Sequence, residues 1–389
     1  MSAATSLGRE TPSHQANTLH AVFETLPVGV MLTDIQGIIQ YVNPAFENAT
    51  GYSRHEVLGQ TPKLLKSGQH SDQFFNQLWG QLRDGQSFQG TLVNRKKTGE
   101  LYWVEQTITP IRDESGGLTH FFSVLQDVTA LRKKQEQEVQ LRLAREVQQR
   151  FYGAAPELPG FDLGAAAYPA QETGGDYFDF IPMPDGCLAI AVGDVEGHGF
   201  GSALVMALTR AYLRSFAAMG LDPDQILAKV NQMLLRDLES ECFVTLALAH
   251  LDPKRLLLTY CGAGHVPGFV IGPWGDVACR LESSGPPLGL FAESTFSCLD
   301  PVPLEPGHVT VLLTDGITES AAPDATEFGN ERALEYIWEH HREPASQIAD
   351  GLHRAAREFA SNEPQDDDTT SVIIKVNLER PRALLPKPR

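Results

Sequence analysis

After a Ser/Thr/Gln-rich opening, residues 28–33 form a short apolar run that reads as a strand, with a turn at Asp34-Ile35-Gln36-Gly37 and a return strand over 38–42. Asn43 followed by Pro44 places a capping side chain before a proline at the first helical position. A short helix is therefore predicted over 45–49, closed by Gly51. Ser71 caps a longer helix with Phe74, Phe75, Leu78 and Leu82 on one side, and Gly85 stops it. Three more strands are predicted at 88–95, 101–109 and 118–126. Lys97-Thr98-Gly99 and Asp113-Glu114-Ser115-Gly116-Gly117 mark their hairpins.

The period then changes. Residues 131–138 are charged and free of Gly and Pro, and Val139, Leu143, Val147 and Phe151 recur every four residues. This predicts a long helix with a modest apolar stripe. Two readings stay open for it: a solvated spacer lying on the next domain, or a signalling helix paired as a coiled coil in a dimer. The stripe is shorter than four heptads and does not decide between them. Beyond Pro156 and Pro159, apolar strands (188–192, 244–249, 256–260, 309–313, 371–376) are interspersed with helices (201–219, 223–238, 331–340, 345–360). The chain divides accordingly into a disordered start (1–18), a small α+β domain (19–129), a linker helix (130–151), a larger domain (152–378) and a proline-rich basic tail (379–389).

Composition narrows the function. The 389 residues carry 31 Lys and Arg against 49 Asp and Glu, a net charge of -18. That excludes nucleic acid or an anionic membrane as the main partner, since both call for a basic face. No run approaches about 18 apolar residues, so no membrane span is predicted, and the polar N-terminus is no secretory signal. Five cysteines (187, 242, 261, 279 and 298), without CxxC or Cys/His ligand spacing, read as reduced thiols of a cytoplasmic protein.

Four acidic clusters carry the chemistry: Gly174-Gly175-Asp176-Tyr177-Phe178-Asp179, Gly193-Asp194-Val195-Glu196-Gly197-His198-Gly199, Thr314-Asp315-Gly316 and Asp366-Asp367-Asp368-Thr369-Thr370. Each lies at the end of, or just before, an apolar strand. Its carboxylate is held by a sheet yet points to the sheet edge, and neighbouring glycines admit ions and backbone. Carboxylates that converge repel unless a cation neutralises them. Oxygen-only donors point to a hard ion, Mg²⁺ or Mn²⁺, rather than zinc. Two such ions about 3.5–4 Å apart activate water for an in-line displacement at phosphorus. One Asp-Gly alone is more often a turn than a ligand; the joint pattern carries the reading. His198 and His265 are candidate general acids, although a histidine in a glycine-rich turn more often organises the backbone through hydrogen bonds.

Residues 19–129 resemble a PAS domain, on Asn43-Pro44-Ala45-Phe46, Thr50-Gly51-Tyr52, Glu56-Val57-Leu58-Gly59, Lys97-Thr98-Gly99-Glu100 and Asp127-Val128-Thr129. Residues 144–376 resemble the metal-dependent protein phosphatase family, protein phosphatase 2C-like, in its bacterial subgroup of sporulation and sigma-factor regulators. The matching pieces are the four clusters with Ala144-Arg145-Glu146-Val147-Gln148, Gly262-Ala263-Gly264-His265 and Gly285-Pro286-Pro287-Leu288-Gly289. The resemblance implies an α+β multidomain chain: a PAS antiparallel sheet with small helices, a linker helix, then an α-β-β-α sandwich with a dinuclear site at one edge.

Carried over, Asp194 bridges both ions, aided by the Val195 carbonyl. Asp315 and Asp367 hold the first ion, with Asp366 as the slipped alternative to Asp367, and Asp176 lies toward the second. Asp176, Asp194 and His198 form the implied catalytic set, and Asp179 a structural one. Glu196 departs from the family's small residue and either joins the metals or faces outward. No counterpart of the eukaryotic phosphate-binding arginine is found.

No cysteine precedes Cys187, so residues 19–129 have none, which excludes cysteinyl-flavin photochemistry. Asn94, Trp79 and Trp103, with the run 92–97, resemble flavin-binding redox-sensing PAS domains, while Val104 departs. Flavin, haem, another small ligand and none all stay open. The implied protein is a signal-regulated serine/threonine phosphatase, homodimeric through PAS and linker helix, acting on a STAS-type anti-sigma antagonist. Its rivals are a catalytically decayed docking module and a phosphatase of another phosphorylated target.

Overall fold

A computed structural model describes residues 12–238, 242–363 and 365–378. The chain separates into two compact units between Glu138 and Val139.

The first unit begins with α1 (Pro12–Thr25), then β1 (Gly29–Asp34), β2 (Ile39–Val42), α2 (Pro44–Thr50), α3 (Arg54–Val57), α4 (Asp72–Arg83), β3 (Phe88–Arg95), β4 (Leu101–Arg112) and β5 (Leu118–Asp127). The strands form one antiparallel sheet in the order β2-β1-β5-β4-β3. Asn43 acts as predicted: its Oδ1 accepts from Phe46 N–H at 3.0 Å and from Val30 N–H at 2.8 Å. Its Nδ2 donates to the Phe23 carbonyl at 3.0 Å. That last bond ties the C-terminal part of α1 to the sheet. Residues 12–18 are helical and continue into a helix whose C-terminal end is tied down, with Glu24 also accepting from Arg54 at 2.6 Å. Residues 1–11 and 379–389 lie outside the described residues.

The helix α5 (Thr129–Gln149) follows β5, and its only buried residue is Gln148. Leu131, Val139, Leu143 and Val147 are each more than half exposed.

The second unit holds two five-stranded antiparallel sheets, built from β6 (Phe161–Tyr168), β7 (Tyr177–Pro182), β8 (Leu188–Val195), β9 (Val244–Asp252), β10 (Leu257–Ala263), β11 (Gly268–Ile271), β12 (Val277–Leu281), β13 (Val302–Pro303), β14 (Val309–Leu313) and β15 (Thr369–Val376). One sheet runs β13-β10-β9-β8-β7 and the other β12-β11-β14-β15-β6. Ile190, Val192, Ala247 and Ala249 of the first meet Leu312, Val372 and Ile374 of the second in a fully buried central layer. The helices α6 (Phe200–Ala218) and α7 (Pro223–Asp237) cover the first sheet through Met206, Leu213, Val230 and Leu234. On the second sheet lie α8 (Asp315–Thr318), α9 (Gly329–Glu339) and α10 (Ala345–Phe359), with Ile337, Ile348 and Leu352 in the core. This is the α-β-β-α sandwich that the resemblance implies. Among the described residues, no helix is long and apolar enough to cross a membrane.

The cysteine reading needs correction. Cys261 on β10 is disulfide-bonded to Cys298; Cys187, Cys242 and Cys279 are free. Leu299 N–H donates to the Tyr260 carbonyl at 2.8 Å, which draws the loop before β13 against β10 and brings the two sulfurs together.

Candidate active site

The sheet registers explain why distant carboxylates meet. Tyr177 of β7 pairs with Gly193 of β8, so one step further Asp176 stands beside Asp194 at the sheet edge. In the other sheet Leu313 of β14 pairs with Ser371 of β15, so Asp315 and Asp367 leave the same end of neighbouring strands. Thr314 ties the two sheets together. Its hydroxyl donates to Asp176 Oδ2 at 2.8 Å and accepts from Thr370 N–H at 2.9 Å.

Asp368 and Asp367 play different parts. Asp368 is buried, and its carboxylate accepts from the backbone N–H of Ala170 (2.8 Å), Gly175 (2.6 Å) and Asp176 (3.4 Å). It clamps the loop that carries Asp176. Asp367, exposed, is the neighbour left for a ligand, accepting from Asp368 N–H at 2.8 Å. The glycines are fitted to these oxygens. A Cβ on Gly174 would lie 2.2 Å from Asp368 Oδ2, and one on Gly316 2.0 Å from the Asp368 carbonyl. A Cβ on Gly175 would lie 2.8 Å from the Val195 carbonyl and 3.3 Å from Asp194 Oδ1, so both of those donors face the same cradle.

The electrostatics ask for a cation. Burial, then the charges of Asp315 and Asp367, push Asp194 up to about 7. Asp176 rises well above the carboxylate range through burial and the Asp194 charge. Burial raises Asp367, with Asp315 adding to it. Among the described residues no ion pair involves any of these side chains or Asp315 or Asp368. Nor do any three of the carboxylates bring oxygens within 4.8 Å of one another. An all-oxygen donor set with this much excess charge suits hard divalent ions.

The remaining candidates separate clearly. His198 is exposed, and its Nδ1 lies 2.9 Å from the Gln171 amide nitrogen. This pairing fixes the orientation of the ring. His265 is buried, with Nε2 bonded to the Leu313 carbonyl and Nδ1 to the Thr245 hydroxyl, both at 2.9 Å. Burial depresses it to about 4, so it organises backbone as a neutral ring. Glu196 is exposed. Asp179 accepts two 2.6 Å bonds from the Arg214 guanidinium and is structural.

Gln148 is the residue that sequence chemistry passed over. Its Nε2 donates to the Gly174 carbonyl at 2.6 Å and its Oε1 accepts from Gly174 N–H at 3.2 Å, fixing the loop before Asp176 from the end of α5. Its position among the polar residues of a charged helix gave no chemical signal; only the family-like run 144–148 marked it.

In the first unit a cavity of about 680 Å³ is lined by Trp79, Asn94, Gln106, Ser123 and Phe121, with Lys63, Lys66 and Arg83 also contributing. The Thr33 hydroxyl, buried and without a partner, belongs to the same lining. Trp79 and Asn94 are therefore where a ligand would sit. Trp103 is not: strand alternation buries Tyr102 and Val104 and turns Trp103 outward, 37% exposed, under the Arg132 guanidinium at 4.5 Å. Trp103 drops out of the ligand set.

Comparisons with known proteins agree with this architecture. Residues 184–377 match the family described as Stage II sporulation protein E, and residues 17–128 match the PAS fold. Phosphoserine phosphatase RsbU of Bacillus subtilis is 31% identical over 187 residues, 48% of this chain and 55% of its own length. A nitrogen fixation regulatory protein of Klebsiella oxytoca is 37% identical over 106 residues, 27% of this chain and 21% of its own. The chain thus spans about half or less of these relatives. The solved SiaA-PP2C domain of Pseudomonas aeruginosa shares the fold, with a TM-score of 0.53 at 24% identity over 64% of this chain and 99% of that one.

Proposed function

The chain carries a PAS domain and a SpoIIE-type, protein phosphatase 2C-like domain, and from that premise we propose a signal-regulated phosphatase of phosphoserine and phosphothreonine on a STAS-type anti-sigma antagonist. The observation that carries this reading is the convergence of Asp176, Asp194, Asp315 and Asp367 at one sandwich edge, where among the described residues none of them is in an ion pair and Asp176, Asp194 and Asp367 are pushed up. These four side chains and the Val195 carbonyl would hold two Mn²⁺ or Mg²⁺ ions, which would supply an activated water and offset the phosphoryl charge. The chain's own residues do the rest. Asp368, Thr314 and Gln148 hold the Asp176 loop in place. His198 is the proposed general acid: as an imidazolium, with the Gln171 amide turned to present its oxygen to Nδ1, it would give its Nε2 proton to the departing seryl or threonyl oxygen. Glu196 faces solvent and stays outside the ligand set.

The test is hydrolysis by the full chain of p-nitrophenyl phosphate and of a serine-phosphorylated STAS-domain protein. Activity on both with Mn²⁺, and on neither in chelator, is expected. No hydrolysis with either metal means the decayed docking module instead. Activity on the small ester alone means another phosphorylated target.

Gln148→Ala is expected to raise the Mn²⁺ needed for half-maximal rate about tenfold, as loss of a residue that orients a metal ligand does. Saturating metal should restore most of the turnover. An unchanged metal curve would show that the Gly174 clamp is idle.

The same reading extends to the sensor. The cavity's unpartnered Thr33 hydroxyl and its Asn94 and Gln106 amides suit the polar edge of a planar heteroaromatic, and Lys63, Lys66 and Arg83 suit a phosphate, so flavin is the proposed occupant. The α5 stripe pairs two copies. A colourless purified protein that does not take up added flavin overturns the first statement, and a monomer by light scattering overturns the second.

A further inference from the structure

We propose that the opposite end of the β7–β8–β9 strands carries a second, chemically different metal site, for a zinc-class transition ion, built from Asp185, Cys187 and His250. This stands apart from the phosphatase reading. The three side chains offer one carboxylate oxygen, one sulfur and one imidazole nitrogen, all within 4.8 Å of one another. His250 Nε2 lies 3.6 Å from Asp185 Oδ2.

The local sequence explains why they meet. The β7–β8 hairpin turns through Met183 and Gly186, with Gly186 N–H donating to the Met183 carbonyl at 3.0 Å and Met183 N–H to the Cys187 carbonyl at 2.9 Å. Gly186 adopts φ +85°, which a glycine takes without strain. Asp185 Oδ1 accepts from Cys187 N–H at 2.9 Å, leaving Oδ2 toward His250. On the neighbouring strand His250 pairs with Ala189. Side chains two apart share a face, so residue 187 and His250 lie diagonally across one face of the sheet, the face that α6 and α7 cover. Cys187 packs at the rim of that core, and the His250 side chain is only 20% exposed. The site is therefore shielded by packing yet open to solvent at Asp185.

The donor types decide the ion. A soft thiolate with an imidazole and one carboxylate selects zinc-like ions in tetrahedral geometry, with water in the fourth position. The phosphatase edge offers oxygen alone and selects Mg²⁺ or Mn²⁺. Softness would thus sort two metals onto the two ends of the same strands, since β8 begins just after Cys187 and ends around Asp194. Asp252, one register step past Leu251, adds negative charge beside Cys187; burial, then Asp185 and Asp252, push the free thiol up to about 11, so the ion must displace the thiol proton as it binds. Lys254 opposes a cation: its ammonium lies 3.6 Å from where a Cβ on Gly186 would be. Its flexible stem lets it swing to solvent, so it tunes the affinity and does not block the site.

The experiment uses the full chain, stripped with chelator and returned to excess Mg²⁺ so that the oxygen site is filled. Co²⁺ is titrated as a zinc surrogate, and thiolate-to-cobalt charge transfer in the near ultraviolet is read. One Co²⁺ per chain is expected to develop the band, and Zn²⁺ to displace it. Cys187→Ser should abolish the band, and His250→Ala should weaken Co²⁺ binding at least about tenfold. Lys254→Gln should tighten it, and Cys242→Ser should change nothing. Cobalt in the all-oxygen site gives no thiolate band, so the readout is specific. No band in the wild type, or a band that survives Cys187→Ser, overturns the proposal. Circular dichroism checks that each variant is folded; Cys187→Ala serves if the serine variant is not.

Discussion

Asp194→Ala is expected to lower turnover on the order of a thousandfold at saturating Mn²⁺, the largest loss of any single substitution in the chain. Asp194 sits at the centre of the acidic edge, and its carboxyl is raised by Asp315, Asp367 and Asp368 together. In the proposed assignment Asp194 would hold both ions, so its removal would disturb the activation of water and the offsetting of phosphoryl charge at once. Asp315 and Asp367 would each serve one ion, so excess metal should offset part of the loss in Asp315→Ala and Asp367→Ala. Asp366→Ala should change little, because Asp366 is exposed and Asp368 fixes the register with three backbone N–H groups. The assay is steady-state hydrolysis of p-nitrophenyl phosphate across a Mn²⁺ series. Near-normal activity of Asp194→Ala would remove it from the centre of the site. Low activity from simple misfolding is distinguishable, since taking a carboxylate out of a repulsive cluster should raise, not lower, the melting temperature of the metal-free protein.

The strands that sequence pattern reveals here are those made of branched apolar residues, such as β8, β9, β14 and β15. Five others hid for physical reasons, β13 because it has only two residues. β6 is rich in alanine and glycine because α10 packs directly onto it: a Cβ on Gly164 would lie 2.2 Å from Ser346 N. That demand comes from a helix far along the chain, which no local window contains. β7 is buried on both faces, so it shows no alternation, and its aspartates draw the eye to chemistry. β11 and β12 have four and five residues, too few for a period. The candidate site was more legible than the fold around it. Aspartate beside glycine at a strand end is a local signal, and three such signals and the Asp366–Asp368 run lie at one edge. What remained hidden depends on tertiary contact: the Asp368 clamp, the Thr314 tie, the Gln148 grip and the Cys261–Cys298 bond. Trp103 was recoverable, since Tyr102 and Val104 on either side mark the inward face of β4 and leave Trp103 the outward one.

Stability in the absence of metal should fall as pH rises from about 4 to about 7, and Asp194 sets the window. Its carboxyl lies near 3.8 in an unfolded chain and is pushed up to about 7 in the folded one. The folded state therefore holds a proton that the unfolded state has released between those values. A proton-binding native state is favoured by acid, so this group's contribution is most favourable below about pH 4 and is lost as pH climbs through 7. At about 1.4 kcal/mol per pH unit, the change amounts to a few kcal/mol. Other carboxylates run the opposite way. Glu56, held down to about 2 chiefly by its bond from Lys97, and Asp72, held down by Lys66, favour folding at higher pH. The signal is therefore the difference between wild type and Asp194→Asn, which removes the titration while keeping the shape. In chelator, the asparagine variant should gain stability over wild type as pH rises from 4 to 7.5. Added Mn²⁺ should reverse the order at pH 7.5, because a cation that binds the ionised native site stabilises only the chain that still has the carboxylate. Thermal melts of both proteins at several pH values, with and without metal, read the two effects separately. A constant difference across that range would mean that Asp194 is not the group that the acidic edge holds protonated.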